Sequence, residues 1–232
     1  MTPRLRRLRS NWLLPTILST TAGAVDVIGF LALGGLFTAH ITGNVVIVAA
    51  HYVTGGFSQI GPLLAVPVFM AVMGLVTVAS NAIARAGTMP LRPLLLLQTA
   101  LLAGFLLLGA GFGRFNDADS SMAVLAGMLG VSAMATQNVL GKLALKGAPS
   151  TAVMTTNITQ LTVDLVTLVR SRGDPGELAK ARSRARVTFP CIIGFVGGCA
   201  AAAALQVNFG FWSLVLPVVL SALAVPLGRV DE

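Results

Sequence analysis

Residues 38–44 read Thr-Ala-His-Ile-Thr-Gly-Asn, and residues 151–157, at an offset of 113, read Thr-Ala-Val-Met-Thr-Thr-Asn. The two stretches agree at Thr, Ala, Thr and Asn in the same spacing. Small or helix-breaking residues precede both copies, namely Gly34-Gly35 and Gly147-Ala148-Pro149. The repetition predicts an internal duplication, with repeat one over about 12–112 and repeat two over about 121–227.

Each copy, interpreted as a helix with about 100° per residue, carries polar side chains on two opposite faces. Thr38 and Thr42 share one face of the first helix, while His40 and Asn44 share the other. The second helix repeats the pattern, with Thr151, Thr155, Thr159 and Thr162 opposite Asn157, Gln160 and Asp164. The threonines could bond to carbonyls of their own helix, but the amides and the carboxylate could not. Because hydrocarbon offers no partners, at a cost of about 1–3 kcal/mol per group, we expect both helices in the middle of the protein.

The composition is that of an integral membrane protein. Of the 232 residues, 55% are hydrophobic and 10% are charged, and the mean hydropathy is +0.85. The formal net charge is +8, but the basic residues lie at the ends of apolar segments and form no patch with aromatic residues. The lipid bilayer is therefore the expected partner, and nucleic acid is not. Cys191 and Cys199 lie about 12 Å apart on a helix, too far for a disulfide.

Successive apolar runs permit two topologies. The runs are approximately 12–33, 36–53, 60–84, 91–112, 121–145, 150–169, 187–208 and 209–227. If every run crosses the membrane, the chain has eight crossings and parallel repeats. If runs 36–53 and 150–169 are broken or re-entrant, about six full crossings remain and the repeats are inverted. Run 150–169 is about 28 Å long as a helix, so the first topology stays open.

The distribution of positive charge favours the second topology. An N-terminus rich in arginine is expected to stay inside, although a signal peptide ending near Ala22-Gly23-Ala24 is a competing interpretation. With six crossings, nearly all arginines and lysines, including those of the cytoplasmic loop 170–186, lie on the inside. We therefore predict an all-α polytopic membrane protein with about six full crossings, two short broken or re-entrant helices, and both termini in the cytoplasm.

Inverted repeats with interrupted helices are typical of secondary transporters, whose sites lie near the middle of the membrane. Helix starts at Thr38 and Thr151 would present unpaired backbone N–H groups there, and these favour an anion or a carbonyl group. Asp26 and Asp164 lie within apolar runs, so either could be linked to a proton. The predicted substrate or ion pathway comprises Asp26, Thr38, His40, Thr42, Asn44, Gln137, Asn138, Thr151, Thr155, Asn157, Gln160 and Asp164.

The sequence carries no hydrolase motif, phosphate-binding loop or cluster of metal ligands, so we predict no enzymatic activity, metal or cofactor. The predicted function is a transporter or channel for a small polar or anionic solute, which Asp26 or Asp164 could couple to protons. The alternative is a non-transporting scaffold or an assembly or signalling partner, and an intramembrane enzyme is a weaker third interpretation. Gly194 and Gly198 form a small-residue face that favours close packing within the monomer, and a homo-oligomer is the other possibility.

Several phrases resemble the bacterial YoaK-like family of small multi-pass membrane proteins. They are Gly23-Ala24-Val25-Asp26, the stretch from Gly35 to Asn44 with Phe-Thr-Ala-His-Ile-Thr-Gly-Asn, Gln137-Asn138, and Pro149 to Thr155. The resemblance extends over nearly the whole chain. Thr156 stands where the family usually has glycine, which removes a flexible position. The resemblance implies a location in the bacterial inner membrane and implies no activity.

Overall fold

The computed structural model describes residues 12–54, 60–111, 118–143, 145, 147–170 and 174–228. Several basic residues that entered the topology argument lie outside this part of the chain: Arg4, Arg6, Arg7, Arg9, Arg114, Lys146, Arg172 and Arg229.

The regular elements of the described residues are all helical, which confirms the predicted all-α class. They are α1 (Leu13–Ala32), α2 (Ile41–Thr54), α3 (Ile60–Arg85), α4 (Leu91–Gly111), α5 (Ser121–Leu143), α6 (Met154–Arg170), α7 (Pro175–Phe209) and α8 (Val215–Leu227). A 3-10 turn, Gly210–Leu214, joins the last two helices. α7 begins within the predicted loop because the Asp174 side chain accepts a hydrogen bond from the Gly176 N–H and Pro175 suits the first helical position.

Five helical stretches are long and apolar enough to cross a membrane: α1, α3, α4, α5 and the continuous run Pro175–Leu227. α2 is a shorter apolar helix. On α3, the outward side chains of Met70, Leu75 and Val78 are 66%, 71% and 70% exposed. Long helices that turn large apolar side chains outward are consistent with a membrane protein.

The centre of the molecule is formed by α1 and α5. In each of them 67% of the most apolar stretch is buried, against 17% in α3. The larger buried cluster includes Val25 of α1 and Met134 of α5, and the smaller one includes Leu18 and Leu140 of the same helices. α7 packs along α1, α3 and α4 pack on α5, and α6 packs on α7.

Close packing between α1 and α7 depends on Gly194 and Gly198. A Cβ atom on Gly194 would lie 2.7 Å from Thr20 Oγ1, and one on Gly198 would overlap the Thr20 carbonyl. The small-residue face thus packs within the molecule, which was the favoured interpretation. Cys191 and Cys199 are both free cysteines, as expected.

The predicted starts of the two motif helices are wrong by three residues. α2 begins at Ile41 and α6 at Met154, so Thr38 and Thr151 precede the helices instead of opening them. Both threonines are nevertheless buried, with 0% and 5% exposure. The non-helical segments before the helices therefore lie at the centre of the protein.

The predicted central position of the motif helices is also wrong. Asn44 is the one buried residue of α2, and α6 buries only Met154, Asn157 and Asp164. Most of each helix lies at the periphery, where its remaining side chains are partly or fully exposed. Burial is needed for the amides and the carboxylate, which require protein partners, and not for the threonines, which can bond to their own helix.

Candidate functional site

The chain breaks helical structure twice, before α2 and before α6, and a glycine at corresponding positions makes each break possible. Gly34 and Gly147, 113 residues apart, have φ angles of 61° and 86°, and Gly35 has a φ of 84°. These values lie in the left-handed region, where a Cβ atom is costly. The glycines that introduced the motifs in the sequence are therefore required by backbone geometry.

An asparagine closes each break in the same way. In the first break, the Phe37 N–H donates to Asn44 Oδ1 at 2.9 Å, and Asn44 Nδ2 donates to the Phe37 carbonyl at 2.7 Å. In the second, the Ser150 N–H donates to Asn157 Oδ1 at 3.2 Å, and Asn157 Nδ2 donates to the Ser150 carbonyl at 2.6 Å. We call each two-bond arrangement an amide clamp. The clamps satisfy backbone groups that a break would otherwise leave without partners.

Asp26 of α1 fills the anion position at the first break. Its Oδ1 accepts the backbone N–H of Thr38 at 2.8 Å, of Ala39 at 2.7 Å and of His40 at 3.3 Å. Its Oδ2 lies 2.7 Å from His40 Nδ1. The N–H groups that we expected to bind a solute anion are therefore already bonded to a carboxylate of the protein itself.

A pocket of about 490 Å³ lies beside the Asp26–His40 pair. Its walls are largely apolar and come from Phe30, Phe37 and Phe195 together with Val27 and Cys199. The His40 side chain is 38% exposed, whereas that of Asp26 is 6% exposed. Because Nδ1 faces Asp26, the opposite ring nitrogen lies on the edge away from the carboxylate.

The second break has an amide where the first has a carboxylate. Gln137 Nε2 donates to Thr151 Oγ1 at 2.9 Å and to the Leu18 carbonyl at 3.0 Å, and Gln98 Nε2 donates to Gln137 Oε1 at 2.7 Å. At the offset of 113, the residue that corresponds to Asp26 is Val139, which is 2% exposed. The anion position is thus filled by the protein in the first half only.

Asp164 lies about two helical turns beyond Asn157, on the same face of α6 and away from the break. Its side chain is fully buried and pairs with Arg184 of α7, whose Nε lies 3.2 Å from both carboxylate oxygens. Gln160 Nε2 also donates to Asp164 Oδ1 at 3.1 Å. Asp164 is therefore a buried, paired carboxylate, and its link to a proton stays a prediction.

A pocket of about 470 Å³ lies between the second break and α7, and we call it the basic pocket. Its lining includes two cations from α7 and several hydroxyl and amide groups: Lys180, Arg184, Ser150, Thr156, Gln160 and Ser183. A neighbouring pocket of about 430 Å³ shares the wall 147–150 and adds Lys142, Gln137 and Thr151. Among the residues that the structure describes, neither lining contains an aspartate or a glutamate.

The departure of Thr156 from the family pattern has a steric explanation. A Cβ atom on Gly43 would lie 2.7 Å from the Phe37 ring, so glycine is needed there. At the corresponding positions the second break has Thr156 and Ser150, and the small serine leaves room for the threonine. Thr156 consequently reaches the basic pocket, whereas Gly43 lines the apolar one.

The predicted site residues do not form one shared site. Thr38 packs on Gly130 of α5, and Thr151 bonds to Gln137 of the same helix, so the two breaks lie about 10 Å apart along α5. The pocket at the first break and the two pockets at the second share no lining residue. The two breaks contact the same central helix, α5, but face different pockets.

Three residues of the predicted pathway bond within their own helix or lie at the surface. Asn138 donates to the Met134 carbonyl of its own helix at 2.9 Å while it lines the neighbouring pocket. Thr42 is exposed at the edge of the apolar pocket. Thr155 is exposed and lies outside the linings of all three pockets, whereas its neighbour Thr156, which is also exposed, lines both pockets at the second break.

Three residues that line the basic pocket are not among the predicted site residues, namely Lys180, Ser183 and Arg184. They belong to the basic stretch 170–186, for which a cytoplasmic loop was predicted. A signal was present, since Lys180 and Arg184 are four residues apart and therefore lie on one face of a helix. Nothing in the sequence, however, indicates that this face turns toward the second break.

A family model described as Protein of unknown function (DUF1275) matches residues 14–227. The chain belongs to this family. The match supports the expected membership of an uncharacterised family, but it names neither the YoaK-like family nor a bacterial source. No curated protein and no solved structure matches the chain. The function of this DUF1275 member is therefore argued from its own residues.

Proposed function

We propose that this protein is a transporter or channel for a small polar or anionic solute, with two inverted repeats, six crossings and two half-helices. We place it in the bacterial inner membrane with both termini in the cytoplasm. The observation that carries the proposal is the pair of amide clamps at corresponding breaks. Backbone outside a helix is tolerated at membrane depth where it is buried in protein or lines a cavity, and such paired breaks are typical of secondary transporters.

Contacts at the two ends of the helix bundle support six crossings. Leu36, which follows α1, packs near Gly61 of α3 and Gly127 of α5, and the Ile60 N–H donates to Asp119 Oδ1 just before α5. The end of α1 and the starts of α3 and α5 thus share one end of the bundle. α2 begins near Asp26, partway along α1, and leads back to the start of α3. Residues 34–54 therefore enter from this end of the bundle and return to it.

The smaller buried cluster marks the opposite end of the bundle. It joins Leu14 at the start of α1, Leu91 at the start of α4, Leu140 near the end of α5 and Ala224 near the end of α8. Leu145, which follows α5, belongs to the same cluster. α6 then leads to α7, whose glycines pack on the first half of α1. On this topology α6 is the second half-helix and returns to the same end.

The Asp26–His40 pair supports coupling to protons. An ionisable pair in the membrane interior is costly and usually functional, and His40 is partly exposed to a pocket. Transfer of a proton to or from His40 would change the charge beside the first break. The amide clamp and the three N–H bonds to Asp26 would link this change of charge directly to the backbone at the start of α2.

Cysteine labelling from the two sides of the membrane tests the topology. With both native cysteines replaced by alanine, single cysteines are placed at Thr54, Thr88, Ser120 and Asp174, which lie near helix ends. Six crossings place positions 88 and 174 on one side and 54 and 120 on the other. Eight crossings place positions 88 and 174 on opposite sides, which would remove the inverted-repeat architecture.

Currents from proteoliposomes on a solid support test transport itself. We expect rapid exchange of chloride for acetate, sulfate or phosphate to give protein-dependent charge movement, in at least one case sensitive to Asp26→Asn. The alternative is a scaffold without transport. Absence of charge movement and of radiolabelled anion uptake, in a variant set shown to be folded, would favour that alternative.

A further inference from the structure

We infer that the basic pocket between the second break and α7 binds the oxyanion group of the solute. This inference deepens the proposed function and relies on it only for the identification of the ligand as a transported solute. The residues that would recognise the oxyanion are Lys180, Arg184, Ser150, Thr156 and Ser183.

The charge of the basic pocket favours an anion. Lys180 and Arg184 contribute two positive charges to the lining, and the buried Asp164 behind the lining offsets one of them. Within the part of the chain that the structure describes, Lys180 forms no ion pair. Hydroxyl groups of Ser150, Thr156 and Ser183 add donors that an oxyanion can use.

Asp164 orients Arg184 for this task. The carboxylate accepts hydrogen bonds from Nε and Nη2 of Arg184, which fixes the plane of the guanidinium group. Nη1 forms no hydrogen bond with any described residue, and the side chain is 51% exposed. Arg184 can therefore donate to an anion in the pocket while it keeps its buried partner. Asp164 is a positioning residue in this arrangement.

The first half of the molecule gives an internal precedent. There, a carboxylate occupies the anion position at the break and accepts three backbone N–H bonds, and that carboxylate is Asp26. In the second half Val139 stands at the corresponding position, and α7 supplies cations beside the break instead. The break that lacks an internal carboxylate is thus the one beside two basic side chains, which favours an external oxyanion in the basic pocket.

The test is a binding titration on the purified full chain in detergent. Thermal unfolding is measured with potassium acetate, sulfate and phosphate, and with potassium chloride at matched ionic strength. We expect at least one oxyanion to raise Tm in a saturable way, and chloride to raise it less. Equal stabilisation by chloride, or none by any oxyanion, would overturn the inference.

Two charge-removing substitutions on the same helix locate the binding. Lys180→Gln should weaken oxyanion binding about tenfold, because a charge-assisted hydrogen bond is lost. Arg182→Gln removes the same charge from an exposed position outside the pocket lining and should leave the affinity within about twofold. Equal effects of the two substitutions would place the anion elsewhere and overturn the site.

A lipid headgroup could supply the same oxyanion chemistry. Nanodiscs with and without phosphatidylglycerol separate the two sources. If phosphatidylglycerol alone raises Tm and Lys180→Gln abolishes that increase, the result supports the site with lipid phosphate as its ligand.

Failure of the site and failure of transport are also distinguishable. Saturable binding without anion flux refutes transport and keeps the site, whereas flux with the same half-saturating concentration in Lys180→Gln refutes the site.

Discussion

The two breaks share a backbone design and differ in what occupies the anion position. Both use a glycine with positive φ and an amide clamp, and both contact α5. The first is closed by Asp26 and borders an apolar pocket, while the second has Val139 at the corresponding position and borders the basic pocket. The comparison teaches that two breaks with the same hydrogen-bonded frame can differ in the chemistry that surrounds them.

Removal of the carboxylate at the first break should have the largest effect. Asp26→Ala leaves the buried N–H groups of Thr38 and Ala39 without their acceptor, so we expect the free energy of unfolding to fall by about 3–5 kcal/mol. Unfolding by SDS in mixed micelles measures it. Val139→Ala is the matched control and should cost only about 2 kcal/mol of apolar contact. If both variants lowered the free energy of unfolding equally, Asp26 would not stabilise the first break more than Val139 stabilises the second.

The two amide clamps should respond alike. Asn44→Ala and Asn157→Ala each remove one donor and one acceptor from a backbone pair, and we expect each to lower the free energy of unfolding by about 2–3 kcal/mol. The same unfolding assay compares them. A silent variant at either asparagine would break the correspondence between the repeats.

Loss of the second half's ion pair should have a smaller effect. Arg184→Gln leaves Asp164 buried with Gln160 as its remaining side-chain partner. Because the arginine is half exposed, we expect a loss of about 1–3 kcal/mol, below the full cost of a broken buried pair. The double variant Asp164→Asn with Arg184→Gln should recover most of it. No recovery in this double-mutant cycle would mean that the pair contributes little to the fold.

The smallest effect should come from the exposed threonine of the second motif. Thr155→Val should change the free energy of unfolding by less than about 0.5 kcal/mol, because its side chain faces outward. Thr151→Val removes the acceptor of the Gln137 amide and should cost about 1–2 kcal/mol. A ranking in the opposite order would restore the helical-face interpretation of the motif.

Local signals in the sequence predicted much of this arrangement. Glycines, the repeated asparagine and the long apolar runs indicate breaks and helices within a few residues, because each depends on neighbours in the chain. The error in the helix starts also has a local cause. Thr38 and Thr151 look like first helical residues, but the clamp to residue 37 or 150 requires three further residues outside the helix.

The contacts that distinguish the two halves are not local. Asp26 reaches residues 12 to 14 positions ahead, and Asp164 reaches Arg184 across two helices. A pattern of single residues cannot specify which helix face meets another. The cations of α7 were therefore assigned to solvent, although they line a pocket, and both motifs were assigned to one site, although they line separate pockets.

α7 is one helix of 35 residues, about 52 Å long, whereas the hydrocarbon layer is about 30 Å thick. Lys180 and Arg184 lie on the part of α7 before Pro190, and the glycines that touch α1 lie on the part after it. Pro190 removes one helical hydrogen bond between these two parts. The same helix that lines the basic pocket thus also contacts Thr16 and Thr20 at the centre of the molecule, so a rigid tilt of α7 at the pocket would change its packing on α1.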